Sequence, residues 1–440
     1  MRLGLALAVA GLALFPPSSP IAQTGIMAVP DAPAPAHAPA PIVLPERLPE
    51  KPSIPPAFAI PVDALGFTAP APFYLGQRNS LVSLDFLDEN RLLFTFRVPG
   101  LIRREAGAEA GSDERQIRAL VVALPSGNVE AEALWTVHDH ARYLWMLHDG
   151  HFLLRDRNSL EQGDATLELK PFLRFSGPLV WMETDPAQQY LVTNTRETAG
   201  DAGKPGTVPS PPTAAASISV DGQKAAAAPE MAVRILRRDT GQVMFISHVR
   251  STIHLPINTE GYIESLRGRG NAWLLNLRHF SGGATPMGQV DSACSPLSDF
   301  LSEREFLVTT CNPSDGGRLV AITTDGRQLW QAKTSGAAIW PLLVRSPDGL
   351  RLAREVLIAS HSVNARAPID QEDIKGQLIE ILDAADGHVE LEAAATPVLD
   401  GGGNLAISPS GRRVAILSGG RIQIFELPAS PPLTAGGQIH

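Results

Sequence analysis

From residue 83 onward, apolar residues come in short runs separated by turns rich in Asp, Gly, Asn, Ser and Pro. Runs of this length, bounded by turn formers and rich in Val, Ile, Leu and Phe, predict β-strands rather than helices. A recurring unit is an apolar run, a polar turn and a second apolar run. Seven such hairpins occur: SLDFLDENRLLFTF (83–96), YLWMLHDGHFLLR (143–155), VWMETDPAQQYLVTN (180–194), YIESLRGRGNAWLLNL (262–277), PLSDFLSEREFLVTTC (296–311), WPLLVRSPDGLRLAREVLIAS (340–360) and LAISPSGRRVAILS (405–418). Most are followed by a second hairpin with tight turn chemistry, as in Asp239-Thr240-Gly241, Asp325-Gly326 and Asp386-Gly387. The fourth unit has a poor second hairpin, built around Gly282-Gly283, and the seventh has one further strand, 421–427.

Units of four antiparallel strands leave open edges unless they close on themselves, and a ring removes the problem. The expectation is an all-β chain forming a single β-propeller over residues 67–428, with seven blades and with six or eight as alternatives. The last unit lacks one strand. Residues 67–75 are expected to supply it as the outer strand of the final blade, latching the ring. With strands read outward from the axis, three irregular segments (99–116, 198–229 and 364–376) each follow the second strand of a unit. They are therefore expected on one face of the disc.

The turn motifs Ser408-Pro409-Ser410-Gly411-Arg412-Arg413, Ser346-Pro347-Asp348-Gly349 and Asp239-Thr240-Gly241-Gln242 make the chain resemble secreted β-propellers of the WD-repeat-like and quinoprotein-dehydrogenase-like (YVTN-type) group. The resemblance covers 67–428. It implies the architecture and says little of activity. A regular Trp-Asp pair at blade ends and a repeated Trp after each Thr-Gly turn are missing, which leaves the subfamily open.

The N-terminus changes the picture of where the ring resides. Met1-Arg2 precedes an apolar run and a Pro-rich tail ending at Ala22, the layout of a cleaved signal peptide over residues 1–22. The protein is accordingly expected to be soluble and periplasmic or extracellular, with no membrane span. Residues 23–66, rich in Pro and Ala, are expected to be a disordered linker, residues 198–230 a disordered insertion, and 429–440 a flexible tail. The net charge of −9, without a basic block, excludes nucleic acid as an obvious partner.

Candidate chemistry is sparse. Cys294 and Cys311 flank the fifth hairpin, and a two-residue turn at Ser302-Glu303 would set them opposite one another. Outside the cytoplasm this reads as a disulfide. His138 and His140 fall at a crossing between units, whereas His148 and His151 flank a turn at the other end of a blade, so the four do not form one metal site. Asp400-Gly401-Gly402-Gly403-Asn404 is glycine-rich, but no helix follows to hold a phosphate, so it reads as a flexible crossing. The tryptophans (135, 145, 181, 273, 330 and 340) read as interblade packing. Motifs of nucleophilic, zinc-protease, phosphate-loop or calcium chemistry are absent, and no catalytic residue, cofactor or metal is assigned. The leading expectation is an exported, non-catalytic binding or scaffold module that takes a protein, peptide or glycan on the face bearing the insertions. The alternatives are a quinoprotein-like oxidoreductase, lyase or hydrolase with its site at the central channel, and a structural subunit of the cell envelope.

Overall fold

The computed structural model describes residues 40–44, 46–70, 82–99, 103–104, 113–138, 142–197, 230–312, 317–334, 338–361, 371–399 and 401–429. Residues 1–22, expected to be a signal peptide, most of the insertion segments and residues 430–440 lie outside them. Two short strands, β1 (Ile42–Val43) and β2 (Phe58–Pro61), precede the ring. Blade 1 follows as β3 (Val82–Asp88), β4 (Arg91–Arg97), β5 (Arg103–Arg104), β6 (Asp113–Ala123) and β7 (Val129–Val137). Blade 2 holds β8 (Leu144–Met146), β9 (Phe152–Asp156), β10 (Ser159–Gly163) and β11 (Lys170–Arg174). Blade 3 holds β12 (Leu179–Thr184), β13 (Tyr190–Glu197), β14 (Glu230–Arg237) and β15 (Val243–Val249). Blade 4 holds β16 (Gly261–Arg267), β17 (Ala272–His279) and β18 (Ala284–Asp291). Blade 5 holds β19 (Leu297–Phe300), β20 (Glu305–Thr310), β21 (Arg318–Thr323) and β22 (Gln328–Lys333). Blade 6 holds β23 (Ala338–Arg345), β24 (Arg351–Ala359), β25 (Ile374–Asp383) and β26 (Val389–Ala395). Blade 7 holds β27 (Leu405–Ile407), β28 (Arg413–Ser418) and β29 (Arg421–Glu426).

Within each of these seven sheets the strands pair antiparallel in sequence order. The first strand of blade 1, β3, touches the first strands of both neighbours, β8 and β27, so first strands are innermost and the ring is closed. The hydrophobic core is divided among the blade interfaces. Leu144, Phe152 and Leu154 of blade 2 pack on Leu93, Val121 and Trp135 of blade 1. Between blades 6 and 7, Ile379, Ile381 and Leu391 meet Ile407, Val414 and Phe425. Alternation along each strand supplies one apolar set to each neighbouring blade, so the strands are buried on both faces and read as continuous apolar runs.

The latch differs from the expectation. The outer strand of blade 7 is β2, paired antiparallel to β29 with Phe58 opposite Ile424 and Pro61 opposite Arg421. Residues 67–70 form no strand, and 71–75 lie outside the described residues. The segment read as a linker thus belongs to the ring from β1 onward. β1 adds to the edge of blade 5 in parallel with β22, with Val43 opposite Lys333. Leu44 enters the core between blades 5 and 6, and Leu48 packs on Val356, Ile358 and Leu378. The Ser53 amide donates to the Glu392 carbonyl at 2.9 Å, and the Glu392 amide to Ser53 Oγ at 2.9 Å. Proline leaves these residues extended without a repeating pattern, which is why apolar periodicity did not reveal them.

Blade 4 differs as well. The hairpin at 262–277 is its second and third strands, not its first and second. The inner position belongs to an extended stretch, 253–258, joined to the sheet by the Ile257–Tyr262 bridge and by the Ile263 amide donating to the Pro256 carbonyl at 3.0 Å. Pro256 removes a donor and breaks the strand signal there. The poor second hairpin around Gly282-Gly283 is the ordinary turn between β17 and β18.

Candidate functional site

Chain direction gives the disc two unlike faces. Turns between first and second strands, and between third and fourth, lie on what we call the turn face. Connections from second to third strands, and the crossings between blades, lie on the loop face. The three long connections all run from a second to a third strand: β4 to β6, β13 to β14 and β24 to β25. The first is partly ordered, since β5 pairs with the early part of β6, Arg103 opposite Glu114. The third ends in a single 3-10 turn, Gln371–Asp373, and the second, 198–229, lies outside the described residues.

The inner strands bring charged residues from distant parts of the chain together around the axis. His254, on the inner stretch of blade 4, stands between Glu183 of blade 3 and Asp299 of blade 5. Its Nδ1 is 2.7 Å from Glu183 Oε2, and its Nε2 is 3.2 Å from Asp299 Oδ1 and 2.6 Å from the Ser298 carbonyl. Burial opposes a charge on the ring, but the hydrogen bonds and charges of Asp299 and Glu183 prevail and push its pKa up to about 11. His254 is therefore an imidazolium that ties three inner strands together. Both nitrogens are engaged, so it is not free to act as a base. Glu183 also accepts from Trp181 Nε1 at 2.7 Å.

On the turn face the blades are tied together by polar contacts. Arg345, at the end of β23 in blade 6, crosses the axis and donates to the Asp185 carbonyl of blade 3 at 2.8 Å and to the Phe300 carbonyl of blade 5 at 3.3 Å. Burial lowers its pKa, against the pull of Asp185, Asp299 and Glu303. Glu303 accepts the Ala187 amide at 3.2 Å and the Thr259 amide at 2.8 Å. Asp185 is fully buried and accepts the Tyr190 amide at 2.6 Å; its burial, reinforced by Glu303, raises its pKa to about 6. Turns of blades 3, 4, 5 and 6 are thereby knotted together.

The inner rim of the loop face carries Arg142. Arg142 is exposed there, with its guanidinium 5.4 Å from the Trp145 ring centre and its Nε donating to the Leu144 carbonyl at 3.0 Å. Its charge interacts with that of Asp85 of β3, whose pKa burial raises against the hydrogen bond from Ser83. A hollow of about 610 Å³ opens on the same face beside blade 7, lined by Val62, Asp63, Phe67, Thr396, Pro397 and Arg421 among others.

The residues singled out from sequence are scattered. His138 contacts Asp156 through both its amide and Nδ1, each at 2.9 Å. His148 and His151 sit in the blade 2 turn, and His140 lies outside the described residues. Cys294 and Cys311 are joined, with Cα atoms 5.8 Å apart. The register differs from the expected one: Phe300 opposes Phe306, so the turn is longer than two residues and the Ala293 amide, not Cys294, meets the Cys311 carbonyl. Gly403 sits at φ +104°, and a Cβ there would come 2.0 Å from the Val82 carbonyl oxygen. The glycine-rich crossing thus exists for close approach of blades 7 and 1. Asp383, Asp386 and His388 have ligand atoms within 4.8 Å of one another, but they cap their own turn: Asp386 accepts the His388 amide at 3.0 Å and Asp383 the Ala385 amide at 2.7 Å. His254, Glu303 and Arg345 gave no sequence signal, because their partners are blades away.

No protein-family model and no curated protein matches the chain. Among solved structures it is similar to the C-terminal WD40 domain of Sif2 (11% identity, 80% of this chain and 96% of that one, TM-score 0.38). It is also similar to Chaetomium thermophilum Sqt1 bound to the N-terminus of ribosomal protein L10 (10%, 80% and 98%, 0.42). TolB from Acinetobacter baumannii is a third (13%, 73% and 74%, 0.36). The likeness to these WD40 and TolB propellers is one of fold.

Proposed function

We propose that this chain is an exported, non-catalytic propeller that serves as a binding or scaffold module of the bacterial cell envelope or extracellular space. It takes a protein or peptide partner on the loop face. The observation carrying this reading is the shared origin of the three long connections, all of which leave from the face that bears the hollow beside blade 7. Loops held by a rigid ring are the usual place for recognition. The axial charges support a binding role over a chemical one, since His254 and Arg345 are spent on holding inner strands rather than converging on a substrate position.

The test has two parts. Partners crosslinked to the exported protein in cells are compared with those of a variant lacking 199–229, a variant of the exposed hollow residue Asp63→Arg, and a turn-face variant, Arg304→Glu. Loss of the same partner in either loop-face variant, with retention in Arg304→Glu, is the expected result; equal profiles in all of them would refute the loop face. Sequencing the N-terminus of protein from fractionated cells should find a start near residue 23 in the exported fraction. An intact Met1 on cytoplasmic protein would refute export.

A further inference from the structure

The hollow beside blade 7 lies where the ring is closed. Its volume is about 610 Å³, within the range of clefts that hold small ligands. Three separate pieces of chain build it: the segment after β2, the crossing from blade 6 to blade 7, and the turn between β28 and β29. Each is held by bonds that need no ligand. The Val62 amide donates to the Gly420 carbonyl at 3.1 Å, and Arg118 Nη1 donates to the Leu65 carbonyl at 3.1 Å. The Thr396 amide donates to the Leu417 carbonyl at 3.0 Å, and Thr396 Oγ1 accepts the Gly419 amide at 2.7 Å. Phe67 is set against Phe94 and Phe96, with ring centres 5.4 and 5.3 Å away. The hollow is therefore preformed.

Its lining has two characters. Pro61 and Pro397 supply apolar walls over a floor of Val62 and Phe67. Asp63 and Arg421 add one charge of each sign, and both are exposed. Neither forms an ion pair or a side-chain hydrogen bond with any of the described residues. An anion alone would meet Asp63 in this hollow, and a cation alone would meet Arg421. An uncharged ligand would strip water from both without replacing it. The ligand that suits the lining carries both signs itself, joined by apolar groups.

We propose that the hollow binds short apolar peptides with both ends free, about two or three residues long, with the ammonium at Asp63 and the carboxylate at Arg421. Such a peptide satisfies the two charges at once and lays its side chains on Pro61 and Pro397. A guanidinium suits the carboxylate end, since it donates two parallel hydrogen bonds to one. The ligand also bridges the segment after β2 and the last two blades, so binding favours the closed ring and raises the melting temperature. This site rests on the loop face as the binding face and names the chemistry of what that face takes.

Calorimetric titration of the purified chain with leucyl-leucine, its N-acetyl form and its C-terminal amide tests the site. The free dipeptide should bind saturably at millimolar concentration. Each blocked form should bind more weakly by roughly fivefold, the upper scale of one exposed ion pair. Asp63→Asn should erase the preference for the free amine and keep that for the free acid, and Arg421→Ala should do the reverse. A general loosening of the hollow would not give this crossed pattern. The proposal is overturned if no saturable binding appears, if the blocked forms bind as well as the free dipeptide, or if either variant weakens all three ligands equally. The titration uses no cellular partner. Absence of peptide binding, beside a crosslinked partner lost on deletion of 199–229, would therefore refute this ligand and leave the loop face standing.

Discussion

Arg354 and Glu46 lie 308 positions apart in the chain, and the Arg354 guanidinium donates to the Glu46 carboxylate with both side chains almost fully buried. The same guanidinium contacts Glu380, its cross-strand neighbour on β25, at 2.5 Å. One cation is shared by two carboxylates, and burial raises the pKa of Glu380 against the pull of Arg354.

Removing the shared cation should therefore cost more than removing one of its anions. Arg354→Met is expected to destabilise by about 3–5 kcal/mol, the scale for breaking a buried ion pair from one side. Glu46→Gln, which keeps shape and leaves one charge on each side, should cost about 1–2 kcal/mol. Guanidinium unfolding midpoints rank the two; the reverse order would mean that Glu46, not Arg354, holds the cluster.

The position of the latch makes a sharp prediction for truncation. A chain beginning at residue 40 retains β1, Leu44, Leu48 and β2, and should melt like the longer protein. A chain beginning at residue 62 loses the outer strand of blade 7 and should lose its cooperative transition in calorimetry. Equal melting of the two would place the closure elsewhere in the ring.

Glu355 sets a pH dependence. It lies on β24 with 2% exposure, and burial raises its pKa from 4.5 to about 8. Gln377 Nε2 donates to it, and the Gln377 carbonyl oxygen accepts from Asn404 Nδ2 at 2.7 Å. Because the folded protein holds this proton more tightly than the unfolded chain, the contribution of Glu355 to stability is full below about 4.5 and falls as pH rises toward about 8. The slope approaches 1.4 kcal/mol per pH unit, as an order of magnitude, within that window. Glu355→Gln should flatten this part of the stability profile and make the protein more stable than wild type at pH 8 and above. An unchanged slope would assign the titration to another group.

The bond between Cys294 and Cys311 closes a separation of 17 residues, for which chain entropy gives about 3 kcal/mol. Protein purified without reductant should gain two hydrogens in mass on reduction, and should unfold at lower denaturant afterwards. The paired Cys294→Ser, Cys311→Ser variant should match the reduced wild type. Free thiols in the unreduced exported protein would exclude the bond.

The sequence revealed the ring where local chemistry and global fold agree. Asp239-Thr240-Gly241 and Ser408-Pro409-Ser410-Gly411 are turns in their own right, and they sit where the fold requires reversal, with Gly241 and Gly411 at positive φ. It misled at Pro256, where the inner stretch of blade 4 carries polar and Pro residues because it faces the axis and bonds to neighbouring blades through His254 and Asn194. The strongest apolar pair in that region, β16 and β17, was therefore read one position too far inward. It misled again at 42–61, where Leu44, Ile54 and Phe58 pack on three different interblade cores and Leu48 on blade 6, so they follow the spacing of the blades rather than of any regular element. The axial site was illegible for a related reason. Residues such as Arg345 and Asp185, 160 positions apart, meet only through ring closure.

The N-terminal strands also set an order of events. β1 and β2 precede all seven blades in the chain, yet they pair only with β22 and β29, in blades 5 and 7, and stay unpaired until those blades have folded. Until then every partial product is an open arc with an unfilled groove at one end and an unpaired leading segment at the other. Contacts of such sequence separation make folding slow and expose sticky intermediates. For this chain, the ring reaches full stability only when residues 42–61 have docked, and a chaperone that holds them would act before the ring exists rather than upon it.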